Sequence, residues 1–191
     1  ILSVIPALIY ADVTGREPRR TGAPGDGLCT ECHGPTANQG GGRVQVAFPG
    51  ELTYTAGATQ RLTVTVTDSA AKAFGFQLTA RLKSNLQNGQ GGSFSPTDGN
   101  TQVLCEDGSL KSGRACPAST PVEFIEHTQQ GTGKNTFTVD WTAPAAGAGD
   151  VVFYIAGNAA NGNGRADNGD NIYTNSYTLT PASSQPKAAI S

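Results

Sequence analysis

Methionine is absent from this chain, tryptophan occurs once, histidine twice and cysteine four times, and only 15% of the residues are charged. Each shortage narrows the chemistry. No run of about 20 apolar residues exists, so no membrane-spanning helix is expected. Thirteen Lys and Arg against 15 Asp and Glu leave no basic surplus for nucleic acid or an anionic membrane surface. The G-x-S-x-G, H-E-x-x-H and P-loop patterns are all missing, and no enzyme activity is expected. Soluble domains average about 25% charged residues, so the sparse charge here suits a secreted or tightly assembled protein. A length of 191 residues supplies one domain with appendages.

Set against these absences is a C-x-x-C-H pentapeptide, Cys29-Thr30-Glu31-Cys32-His33. In c-type cytochromes two thiols at this spacing add across the haem vinyl groups, and the adjacent imidazole binds the iron. Structural zinc needs four ligands, and no second C-x-x-C or H-x-H accompanies the first. A disulfide or a chance match would also produce the spacing. The expectation is one covalent haem c per chain, on Cys29, Cys32 and His33. With no methionine, His/Met ligation is excluded, and the only other histidine is His127. Bis-His ligation by His33 and His127 is therefore expected, from the same chain or from a neighbouring one. Five-coordinate iron, or iron bound by water, Lys or Tyr, is the alternative. Arg19, Arg20 and Arg43 flank the segment as candidate propionate partners.

Cys105 and Cys116 bracket a polar stretch with two glycines, Gly108 and Gly113. A loop closed by a Cys105–Cys116 disulfide is the natural reading, and it implies an oxidising compartment. Haem attachment to c-type cytochromes also takes place outside the cytoplasm. Both lines predict an extracytoplasmic protein: secreted, cell-surface or periplasmic.

Residues 14–43 are rich in glycine and proline and read as an irregular haem-binding segment, with a short helical turn around Cys29–His33 and little else to bury. From residue 44 the apolar period becomes two. Val44, Val46 and Phe48 alternate with polar positions, as do Leu62, Val64 and Val66, then Phe74, Phe76, Leu78 and Ala80. Residues 101–105, 122–127, 136–142, 151–156 and 173–180 read as further strands. Seven or more short strands divided by turn clusters predict an all-β sandwich, with Trp141 in its core.

The blocks YTAGATQRLTVTV, AFGFQLTAR, TQVLC, EFIEHT, FTVDWTAP, VVFYIAGNAANGNG and GDNIYTNSYTLT occur in an order that resembles the Reeler-like β-sandwich, in the bacterial version known as the choice-of-anchor V domain. There a segment like TGAPGDGLCTECHG precedes the sandwich, as here at Thr21–Gly34. The resemblance spans roughly residues 20–180 and implies an immunoglobulin-like sandwich with a recurring histidine at His127; with the change of period at residue 44, the sandwich is expected over 44–180, followed by a tail over 181–191.

Residues 1–13, from Ile1 to Val13, are apolar on both faces of a would-be strand. The expectation is a donor strand inserted into a neighbouring subunit, building a homo-oligomer or filament. A strand folded back on its own sandwich, or a signal remnant, would carry the same pattern. The oxygen-rich stretch from Asn158 to Asn171 fails the EF-hand pattern, with Arg165 at position five and Ile172 at position twelve. Calcium is therefore not expected, and Asp167 and Asp170 are the ligands if it binds. Two function classes emerge: a monohaem electron-transfer protein with an unidentified redox partner, and a structural or adhesive surface subunit.

Overall fold

In the computed structural model of the chain, residues 15, 17–34, 36–167 and 169–183 are described. The expected donor strand at residues 1–13 and most of the 181–191 tail lie outside them. Among the described residues, ten strands form two sheets. The smaller sheet contains β1 (Arg43–Ala47), β3 (Thr59–Thr67), β8 (Thr136–Thr142) and β5 (Ser93–Pro96), in the order β1-β3-β8-β5. The larger contains β2 (Thr53–Tyr54), β10 (Asn171–Pro181), β9 (Val151–Ala160), β4 (Ala73–Leu82), β7 (Glu123–His127) and β6 (Thr101–Cys105), in the order β2-β10-β9-β4-β7-β6. All pairings are antiparallel except the short β2–β10 contact.

The two-residue period explains the packing. Leu62, Val64 and Val66 of β3, with Phe137, Val139 and Trp141 of β8, face Phe76, Leu78 and Ala80 of β4 and Phe153 and Ile155 of β9 in one core. Trp141 is fully buried, packs edge-on against Phe153 at 4.9 Å, and donates its indole N–H to Gly91 O at 2.9 Å. Cys105 and Cys116 are joined by a disulfide with a Cα–Cα distance of 5.4 Å, as their spacing suggested.

Four elements differ from the sequence reading. Strands β2 and β5 are edge pieces too short to show a period. Strand β9 continues to Ala160, although Gly157 and Asn158 are poor strand formers, because β4 and β10 pair with it on both sides. The segment 17–34 is also not short of things to bury. It lies across the outer face of β4, where Gln77, Thr79 and Arg81 are buried although the alternation assigns them to solvent. Arg20 N–H donates to Gln77 Oε1 at 2.7 Å, and Gln77 Nε2 donates to Glu17 O at 2.7 Å. Arg81 donates to both carboxylate oxygens of Asp26, at 3.1 and 2.9 Å, and Arg19 and Thr21 donate to the same group.

Candidate functional site

A cleft opens where β7 runs out. That strand pairs with β4 over only Gln77↔Glu126, Leu78↔Ile125 and Thr79↔Phe124. Beyond this ladder the backbone of Phe76 has no strand partner on the β7 side, and the imidazole of His127 takes the position. Phe76 N lies 3.2 Å from His127 Nδ1 and Phe76 O lies 3.3 Å from the same nitrogen. Which contact is the hydrogen bond depends on the tautomer: Nδ1 accepts from Phe76 N–H in one, and in the other Nδ1–H donates to Phe76 O and the ring lone pair lies on Nε2. The close fit requires Gly75: a Cβ there would sit 2.6 Å from His127 Cε1. A glycine inside the strand AFGFQL is the sequence mark of such an approach.

The opposite rim is the C-x-x-C-H segment. Cys29–Glu31 forms one 3₁₀ turn, and Cys29 O accepts from both Cys32 N–H at 3.2 Å and His33 N–H at 2.9 Å. The chain leaves this turn through Gly34, at φ +65°, where a Cβ would meet Asp170 O at 2.7 Å. Gly34 N–H donates to Asp167 O at 3.1 Å, which ties the segment to the 161–170 connection between β9 and β10. His33 Nδ1 lies 2.7 Å from Asp170 Oδ2, and the Asp170 side chain is only 1% exposed.

Cys29, Cys32, His33 and His127 all line this one cleft, whose volume is about 390 Å³, within the range of about 300–1,000 Å³ usual for ligand pockets. Leu28, Ala73, Phe74, Phe76 and Ala160 supply apolar wall. Asn158 also lines it, and its buried Oδ1 has no hydrogen-bond partner among the described residues. Burial pushes the Cys29 thiol up to about 12, only partly offset by the positive charge of Arg20. Reactive cysteines of C-x-x-C redox pairs have lowered thiol pKa values, so Cys29 does not resemble one. Neither Cys29 nor Cys32 is in a disulfide.

The flanking arginines are engaged by protein side chains. Arg19 bonds Asp26 and Glu106, and Arg43 donates to Gln45 on β1. Arg20 alone of the three lines the cleft, and Glu17 at 2.8 Å and Glu31 bind its guanidinium. The Glu17 hydrogen bond leads the effects that raise the Arg20 pKa. The oxygen-rich loop likewise turns its oxygens on the protein. Asp167 Oδ1 accepts from Gly169 N–H at 2.8 Å, its Oδ2 accepts from Asn163 Nδ2 at 2.6 Å, and Asp170 Oδ1 accepts from Asn161 N–H at 3.0 Å. Among the described residues, no three His, Cys, Asp or Glu side chains form a group that could hold a bare metal ion. Among the same residues no helix is long and apolar enough to cross a membrane.

Sequence reasoning named Asp170 only as a calcium candidate and did not find Gly75, Gln77, Asp26 or Arg81. The glycine carried a local signal; the other three depend on the covering segment, which no period reveals.

A family model described as the Reeler domain matches residues 33–157. No curated protein matches the chain. Among solved structures, two crystal structures of the human F-spondin reeler domain are similar. Fragment 1 has 19% identity and a TM-score of 0.45, covering 77% of this chain and 86% of its own. Fragment 2 has 18% identity and a TM-score of 0.48, covering 81% of this chain and all of its own. A cohesin module from a Clostridium perfringens family 33 glycoside hydrolase has 7% identity and a TM-score of 0.41, covering 74% of this chain and 98% of its own.

Proposed function

The chain belongs to the Reeler domain family, and on that premise we propose that it is an extracytoplasmic β-sandwich that carries one haem c beside its larger sheet and transfers electrons. One observation carries the reading: the C-x-x-C-H residues and the only other histidine line a single apolar-walled cleft. The residues fit the group. Cys29 and Cys32 would hold the haem through thioether bonds, His33 and His127 would bind its iron, and Phe74 and Phe76 would supply apolar wall. When bound, haem supplies reversible one-electron chemistry, with the electron drawn from an external donor and passed to an external acceptor. With His33 and His127 both engaged, a bound haem would have no open site for oxygen or peroxide, which favours electron transfer over catalysis. Absence of a methionine ligand favours a comparatively low potential.

The Cys105–Cys116 disulfide supports the extracytoplasmic location. Residues 1–13 enter the proposal through their sequence pattern alone, as a strand donated to a neighbouring subunit in a filament. A second reading has the family match in its favour: the Reeler-type sandwich supports a structural or adhesive domain, with haem absent or only structural. The absorption spectrum of the purified protein separates the two. A Soret band with a haem c pyridine haemochrome is expected, and a colourless protein leaves the structural or adhesive role.

A further inference from the structure

The loop between β9 and β10 has no role in the reading above, yet it ends on the carboxylate that touches His33. The two oxygens of Asp170 have separate partners. Oδ1 accepts from Asn161 N–H at 3.0 Å, and Oδ2 lies 2.7 Å from His33 Nδ1. A carboxylate only accepts, so the imidazole hydrogen sits on Nδ1 and the lone pair on Nε2, the nitrogen a metal needs. Asn158 Nδ2 lies 3.2 Å from the same Nδ1. Two donors cannot share one hydrogen bond, and the shorter contact to a carboxylate decides the tautomer.

Resting on the haem reading, we propose that Asp170 is a positioning residue for His33. It fixes the tautomer and plane of the imidazole, and its negative charge strengthens Nε2 as a donor and so favours the oxidised iron. The loop's own hydrogen bonds hold that carboxylate in place. Asn163 N–H donates to Asn161 Oδ1 at 2.9 Å and Arg165 N–H to Asn163 Oδ1 at 2.8 Å. Asn161 then donates to Asp170, while Asp167 O accepts from Gly34 N–H at 3.1 Å, directly after His33. The Asx residues that look like a cation loop form instead a brace, gripping His33 through its ring and through the next peptide.

The test is a redox titration of the haem-loaded wild type beside Asp170→Asn and Asp170→Ala. Both variants are expected to keep the thioether-bound haem, because Cys29 and Cys32 are untouched. Both are expected to have a more positive midpoint. The ferrous-to-ferric ratio at a fixed potential should rise about tenfold, or about 59 mV for one electron. Asp170→Ala should shift further, because Asn keeps an acceptor oxygen. Unchanged midpoints in loaded variants overturn the positioning role and leave the haem reading standing; a haem-free wild type overturns both. If neither variant folds, proton NMR of the reduced wild type decides. A slowly exchanging Nδ1–H on His33 supports the bond to Asp170, and its absence refutes it.

Discussion

Replacing Asp26 by alanine removes one half of an ion pair whose side chains are both fully buried. The intact pair is no large source of stability, because dehydrating two charges offsets most of their attraction. Its halves are another matter, since a buried guanidinium left without its carboxylate costs about 3–5 kcal/mol. Arg81 would keep Thr79 Oγ1, Gln87 O and Leu86 O as partners, and the face of Phe124 at 5.3 Å. These retained contacts put the loss at the lower end, about 3–4 kcal/mol. For a chain of this size each kcal/mol moves the melting midpoint by about 2–4 °C, so Asp26→Ala should melt about 6–16 °C lower. Arg81 can also regain water if segment 17–34 lifts off β4. Amide exchange at Gly22 and Gly27, whose N–H groups bond within that segment at 3.0 and 2.9 Å, should then accelerate before the core opens. Circular dichroism melting and hydrogen exchange at equal haem loading measure both effects. Adding Arg81→Met to Asp26→Ala should recover most of the loss. A melting shift under about 3 °C, with Gly22 and Gly27 still protected, would show that this pair does not fasten segment 17–34 to β4.

Gly75→Ala puts a methyl group against the His127 ring, so the loaded protein should keep its haem but lose the six-coordinate low-spin spectrum; an unchanged spectrum contradicts the placement of His127. Breaking the disulfide with Cys105→Ser and Cys116→Ser opens a loop of sequence separation 11. The loss should be about 2–3 kcal/mol, and an unchanged melting curve speaks against it. The hydrogen bond from Tyr173, then those from Ala70 N–H and Asn171, hold Asp68 below the ordinary carboxylate range. The unfolded chain therefore takes up the proton first. The stabilisation is complete above about pH 3.9 and is lost as pH falls through the lower folded value. Asp68→Asn should flatten that acid limb of the stability curve, and an unaltered limb counts against the assignment. Deleting residues 1–13 should abolish any polymers seen by electron microscopy, and a truncated protein that still polymerises excludes donor-strand assembly.

Much of the sandwich was written in its alternation. Leu62, Val64 and Val66, or Phe76, Leu78 and Ala80, can bury one face only as strands, and they do. The same alternation sent Gln77, Thr79 and Arg81 to solvent, because a two-residue period cannot show that another part of the chain covers the outer face. That Cys29, Cys32, His33 and His127 line one cleft was anticipated from the C-x-x-C-H spacing and from the scarcity of histidine, since His127 is the only other one. Asp170 was visible only as an oxygen in an oxygen-rich loop. Its contact with His33 depends on the β9–β10 connection folding back over the C-x-x-C-H turn, a long-range event without a local signal. Gly75 could have been read, because a glycine in mid-strand usually marks close approach.

The most direct measurement is the intact mass of the purified protein beside that of a Cys29→Ala, Cys32→Ala variant. The wild type should exceed its polypeptide mass, less the hydrogens of one disulfide, by one haem, and the variant should show no such excess. A wild type at bare polypeptide mass would contradict the account and return the chain to a β-sandwich without a redox centre.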